Sequence, residues 1–317
     1  MTTRFRTILS RALAPLALAA LLGACGGDDG GGSGDGTGDP DGGSDTDPDA
    51  GPDADGFAPL LTVDWTLPPP SGPNPDRYWC AALTVEEDVI ITGFRDISPP
   101  GTHHAVLSVG AGGGADNPGF ECNVASNHDA LLFASGVGTD DFVFPDGVGI
   151  RVAAGQQLFL NLHLFNTSEQ TITGTSGVAV RTVDAVETEA EFTFAGTFLL
   201  DIPAGSTGHE ESGSCPVAQD GTILNWWPHM HQLGRHMTIQ VNDQIVHDQP
   251  YAFTEQKNYP TELAVSAGDT ITVTCTYDNP TGMDVGWGDS SNQEMCFAGF
   301  YRYPKVGQAF CADGGSF

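Results

Sequence analysis

The chain has 317 residues, with 41 acidic against 11 basic side chains and a formal net charge of −30 at pH 7. A surface this acidic excludes nucleic acid and anionic lipid headgroups as electrostatic partners. Outside the N-terminal leader, no stretch is apolar enough to span a bilayer.

Arg4, Arg6 and Arg11 precede an apolar run from Ala12 to Leu22, and Leu22-Gly23-Ala24-Cys25 closes it. A basic start, a short apolar core and small residues describe a secretory signal peptide over residues 1–24. The ending on cysteine resembles a bacterial lipobox. It predicts an exported lipoprotein acylated at Cys25, membrane-anchored, with the outer membrane favoured over the inner because Gly26 follows. Residues 25–56 then consist almost wholly of Gly, Asp, Ser, Thr, Pro and Ala. Such a segment has nothing to bury, so it reads as a tether extended by repulsion between its aspartates.

The rest reads as β. Val89-Ile90-Ile91-Thr92 is a strand. A short helix is admissible around Asn127–Phe133. Leu158, Leu160, Leu162 and Leu164 alternate with Phe159, Asn161, His163 and Phe165, so the leucines share one face and His163 takes the other. Val183–Glu187 is polar and marks a boundary, giving domains over 57–185 and 186–317. Phe192-Thr193-Phe194 opens the second part. Met237–Val241, Asn242-Asp243 and Gln244–Val246 form a hairpin. Ile271, Val273, Cys275 and Tyr277 alternate with threonines in a further strand. Two antiparallel β-sandwiches accommodate this pattern. Beyond Cys25 six cysteines remain, an even number that suggests three disulfides in an oxidising compartment.

Of the nine histidines, five stand out. His103 and His104 are adjacent after Pro99-Pro100-Gly101. His163 lies on the face opposite the leucines. His229 and His231 are two apart, which on a strand presents both rings to one side. Met295 offers a thioether, a soft ligand favouring Cu(I), while imidazole suits both copper states. Taken singly, His163 reads more readily as a hydrogen-bonded surface or core histidine, and Met295 as core packing.

Their order and context resemble the copper type II, ascorbate-dependent monooxygenases, the family of peptidylglycine α-hydroxylating monooxygenase and dopamine β-hydroxylase. The matching text is Arg77-Tyr78-Trp79-Cys80, Pro99–His104, Leu160-Asn161-Leu162-His163, Pro228–Arg235 and Gln293-Glu294-Met295-Cys296. The resemblance implies two jelly-roll-like sandwiches with one copper each. His103, His104 and His163 would hold an electron-transfer copper. His229, His231 and Met295 would hold the copper at which O2 reacts, with ascorbate as reductant and a small molecule as substrate. It also implies the pairs Cys80–Cys122, Cys215–Cys311 and Cys275–Cys296. His128, His209, His236 and His247 have no counterpart, His236 alone being close enough in sequence to support the second ligand set from outside.

Where the peptide-amidating branch carries a carboxylate-binding arginine and its helpers, this chain has Trp227, Phe297 and Gly299. A substrate carboxylate would lack a cation there, which argues against a glycine-extended peptide. Trp226, Trp227 and Phe297 read either as an apolar or aromatic pocket or as ordinary core. A non-catalytic copper-scavenging lipoprotein would use the same six ligands.

Overall fold

The computed structural model describes residues 51–70, 76–123, 126–127, 130–136, 138–288 and 292–313. The signal peptide, Cys25, most of the tether and His128 lie outside the described residues. Among the described residues every regular element is a strand. The segment proposed as a short helix becomes the strand Ala130–Gly136, which pairs with Thr102–Gly110. The β-branched Val106 and Val109 on that partner strand override a local pattern that is indifferent between the two states.

The strands fall into two groups that pair only within themselves. Residues before 190 build a six-stranded sheet and a five-stranded sheet; those after it build a five-stranded sheet, a four-stranded sheet and a small two-stranded ribbon. Each group stacks two sheets face to face, the sandwich that alternation requires. Strand Thr270–Asp278 alternates partly buried and buried at every position, as its sequence demands. Strand Gln157–Phe165 does more: its four leucines are buried in the sandwich core, and Asn161 and His163 on the opposite face are buried as well. Asn161 Nδ2 donates to the carbonyls of Asn123 and Ser126 at 3.0 and 2.9 Å, so its burial leaves no amide hydrogen unsatisfied.

The three disulfides are Cys80–Cys122, Cys215–Cys311 and Cys275–Cys296. The last ties strand Thr270–Asp278 of one sheet to strand Cys296–Tyr303 of the facing sheet, directly after Met295.

The two sandwiches share a core. Strands Glu191–Thr197 and Cys296–Tyr303 are buried along almost their whole length. One face packs inside the second sandwich, and the other meets Phe94, Phe133, Phe142 and Phe144 of the first. Tyr301 sits at the centre of that layer. Its ring stacks on Phe142 at 4.3 Å, lies edge-on to Phe144 and Phe192 at 5.0 Å, and its hydroxyl donates to the Leu132 carbonyl at 2.8 Å.

Candidate metal centre

His103 and His104 are consecutive, and on a regular strand their rings would point to opposite faces. They converge, with centroids 4.2 Å apart. The cause is an irregularity in the ladder between Thr102 and His104 that re-aims one side chain. Gly101 makes the preceding turn possible: its φ is +107°, and a Cβ there would lie 2.7 Å from the Trp65 ring. His104 then stands directly opposite His163 on strand Gln157–Phe165, and Tyr78 opposite His163 on the other side. The metal-binding nitrogens of His103, His104 and His163 all lie within 4.8 Å of one another.

Outer contacts determine which nitrogens are free. His163 Nε2 donates to Asp76 Oδ1 at 2.8 Å, leaving Nδ1 to face His104 Nδ1 at 3.4 Å. The hydrogen bond from His163 holds the Asp76 carboxyl below its usual range. Tyr78 stacks on His163 with centroids 4.6 Å apart. Burial, reinforced by neighbouring histidines, pushes His103 down to about 4 and His104 further below its ordinary value. These rings are therefore neutral at physiological pH, the state in which imidazole ligates a metal.

In the second set only His229 is on a strand. Strand Gly221–His229 ends there, and His231 sits in the turn beyond it. Their rings are perpendicular, with centroids 5.4 Å apart. The turn, rather than strand alternation, brings them together. Glu294 builds that turn. Its buried carboxylate accepts from the backbone N–H of His231 at 2.8 Å and of Leu233 at 2.6 Å. Burial raises Glu294 to about 7 against the pull of those bonds. The Tyr251 hydroxyl donates to the Met230 carbonyl at 2.5 Å and fixes the remaining corner. His231 Nδ1 donates to the Gln293 carbonyl at 3.0 Å, and His229 Nδ1 to Gln256 Oε1 at 3.1 Å. The His229 ring thus keeps Nε2 for a ligand. Trp227 stacks on His229 at 5.1 Å, and burial lowers His229 to about 3. Strand Cys296–Tyr303 pairs Phe297 with His229, and Met295, two residues before Phe297, is partly buried against the layer between the sandwiches.

The two sets meet: the ring centroids of His104 and His229 are 6.1 Å apart. Phe253, from the second sandwich, lies 4.9 Å from His103 and 6.3 Å from both His104 and His231. His236 is not part of this cluster; it faces Asp248 at 3.4 Å. His209 pairs with Glu211 at 2.9 Å, and His247 packs edge-on to Tyr259. Of the two readings open for Trp226, Trp227 and Phe297, pocket or core, the structure gives core. Trp226 packs on Phe300 inside the second sandwich, and Trp227 and Phe297 belong to the layer between the sandwiches. A Cβ at Gly299 would fall 2.5 Å from Phe192, so that position is closed as well. Gln256, Asp76 and Phe253 carry no sequence signal, because each acts only through a neighbour distant in the chain.

Residues 195–316 match the family model of the copper type II ascorbate-dependent monooxygenase C-terminal domain. Two solved structures overlap more weakly. Dimeric latent PorU from Porphyromonas gingivalis is 9% identical over 71% of this chain and 24% of its own, at a TM-score of 0.20. The VP2 subviral particle of infectious bursal disease virus is 11% identical over 76% and 69%, at a TM-score of 0.18. This chain thus spans 24% of the length of the first, and at such scores neither superposition carries an argument.

Proposed function

We propose, from the premise that residues 195–316 belong to the copper type II, ascorbate-dependent monooxygenase family, that the protein is a copper monooxygenase. It hydroxylates a C–H bond of a small apolar or aromatic molecule, using O2 and a reductant such as ascorbate. The observation that carries this reading is the meeting of two ligand sets, one from each sandwich, at one interface.

The donor chemistry fits copper. His103, His104 and His163 would hold one ion, and His229, His231 and Met295 the other. All five rings belong to sets shielded by Tyr78, Trp227 and Phe253, and burial keeps His103, His104 and His229 unprotonated. Copper supplies one-electron chemistry toward O2 when bound. The chain's part is to fix which nitrogen of each ring is offered, through Asp76, Gln256 and the Gln293 carbonyl. It also keeps the two sets within a short electron path. Phe198 and the part-exposed Trp287, 5.3 Å apart beside the Glu294–Met295 segment, supply an apolar surface for substrate. Export and anchoring at Cys25 would place the enzyme in the cell envelope, where its three disulfides persist.

The test is oxygen uptake by the copper-loaded, ascorbate-reduced protein against a panel of small aliphatic and aromatic molecules. Substrate-dependent uptake with a hydroxylated product is expected. Copper retention with no uptake on any panel member would favour a non-catalytic copper-binding role.

A further inference from the structure

One hydrogen-bonded chain runs through both histidine sets. His229 Nδ1 donates to Gln256 Oε1 at 3.1 Å, and Gln256 Nε2 donates to His104 Nε2 at 3.0 Å. His104 Nδ1 faces His163 Nδ1 at 3.4 Å, and His163 Nε2 donates to Asp76 at 2.8 Å. The amide sets the direction. Its nitrogen can only donate, so His104 Nε2 must accept. The same nitrogen donates to the Phe253 carbonyl at 3.3 Å, so a flipped amide would set its oxygen against that carbonyl.

Gln256 is held in place. It comes from the second sandwich, yet its carbonyl accepts from Thr139 Oγ1 of the first at 2.7 Å, and it is 1% exposed. It lies so close to Gly136 that a Cβ added there would fall 3.0 Å from its own Cβ and 3.2 Å from the His104 ring. The aromatic layer around Tyr301 holds the sandwiches together beneath it.

We propose that Gln256 couples the two ligand sets, so that copper on the His229 set weakens copper on the His104 set. The inference rests on the copper reading above. A metal on His229 Nε2 leaves the hydrogen on Nδ1, which the Gln256 oxygen already accepts. A metal on His104 Nδ1 requires that ring to carry its hydrogen on Nε2, where it meets the amide N–H2. The amide turns its oxygen to His229 and its N–H2 to His104, so it cannot accept from both rings at once. The set with Met295 therefore fills first, and the set with His163 fills against an unsatisfied buried donor.

The experiment titrates the full-length protein with cuprous ion against a chromophoric chelator, in wild type, Gln256→Glu and Gln256→Ala. Repulsion between the two ions persists in the alanine variant and sets the baseline. Should alanine prevent folding, Gln256→Met preserves length without the amide. Removing one unmet buried hydrogen bond should strengthen the second binding step by about tenfold or more in both variants. At one equivalent, X-ray absorption of the wild type should show a copper–sulfur path. Second-step constants within about twofold of one another in all three proteins, well below the effect of one buried unmet donor, would overturn the proposal. A gain confined to Gln256→Glu would reflect charge alone and would also overturn it. Failure to retain any copper would defeat the copper reading, and this inference with it.

Discussion

The two ligand sets have the same number of side chains and opposite scaffolding. The first is built on strands. His104, His163 and Tyr78 stand in cross-strand register, and one ladder irregularity adds His103. The second is built where strands stop. His229 ends its strand, His231 occupies a turn organised by the Glu294 carboxylate, and Met295 precedes the strand that starts at Cys296. Their outer partners differ too. The first set leans on a carboxylate, Asp76, whereas the second leans on two neutral oxygens, from Gln293 and Gln256. A carboxylate behind a ligating imidazole makes it more basic. Neutral acceptors and a thioether favour the softer Cu(I) state. On the copper reading proposed above, the difference teaches that redox contrast between the two sets is written in these outer contacts, with imidazole dominating both sets.

Four substitutions sharpen or break that contrast. Met295→Ile keeps apolar bulk and deletes the thioether; it should abolish hydroxylation while leaving the first set's copper bound and reducible by ascorbate. A copper–sulfur path persisting in that variant would show that Met295 is not a ligand. His163→Ala should lower the copper content by one equivalent and leave the sulfur-bearing site filled; loss of both ions would mean that the sets are not separate. Asp76→Asn removes only the outer carboxylate, and should weaken first-set copper by roughly 10–100-fold with the second set unchanged. Competition titration with a chelator measures both. The smallest effect belongs to Tyr301→Phe, which deletes one buried hydroxyl bond between the sandwiches and should cost about 1 kcal/mol in denaturant unfolding, with copper content unaltered.

The difference in scaffolding also governs what could be read from the sequence. Strand periodicity exposed His163 and the alternation of strand Thr270–Asp278, because a period of two is a property of neighbouring residues. The hairpin at Asn242-Asp243 was legible for the same reason. The pairing of His229 with His231 was anticipated through strand spacing, yet a turn accomplishes it. Strand Ala130–Gly136 was ambiguous because its conformation is decided by the strand it joins. Trp227 and Phe297 look the same in sequence whether they line a pocket or fill a core. Only the packing of one sandwich on the other makes them core. Gln256 was invisible: its partners are His104, His229, Thr139 and the Phe253 carbonyl, and three of these are fixed by contacts across the chain.

The shared aromatic layer has a consequence for how this molecule can be divided. The segment matching the family model begins at residue 195, within strand Glu191–Thr197, whose phenylalanines pack on both Tyr301 and the first sandwich. A fragment cut at that position would leave Tyr301, Trp227 and Phe297 facing water on a strand-rich surface, the kind of face that recruits other copies of itself. The matched segment is thus smaller than the body that packs around this layer. Heating should accordingly melt both sandwiches in one calorimetric transition, as a single cooperative body.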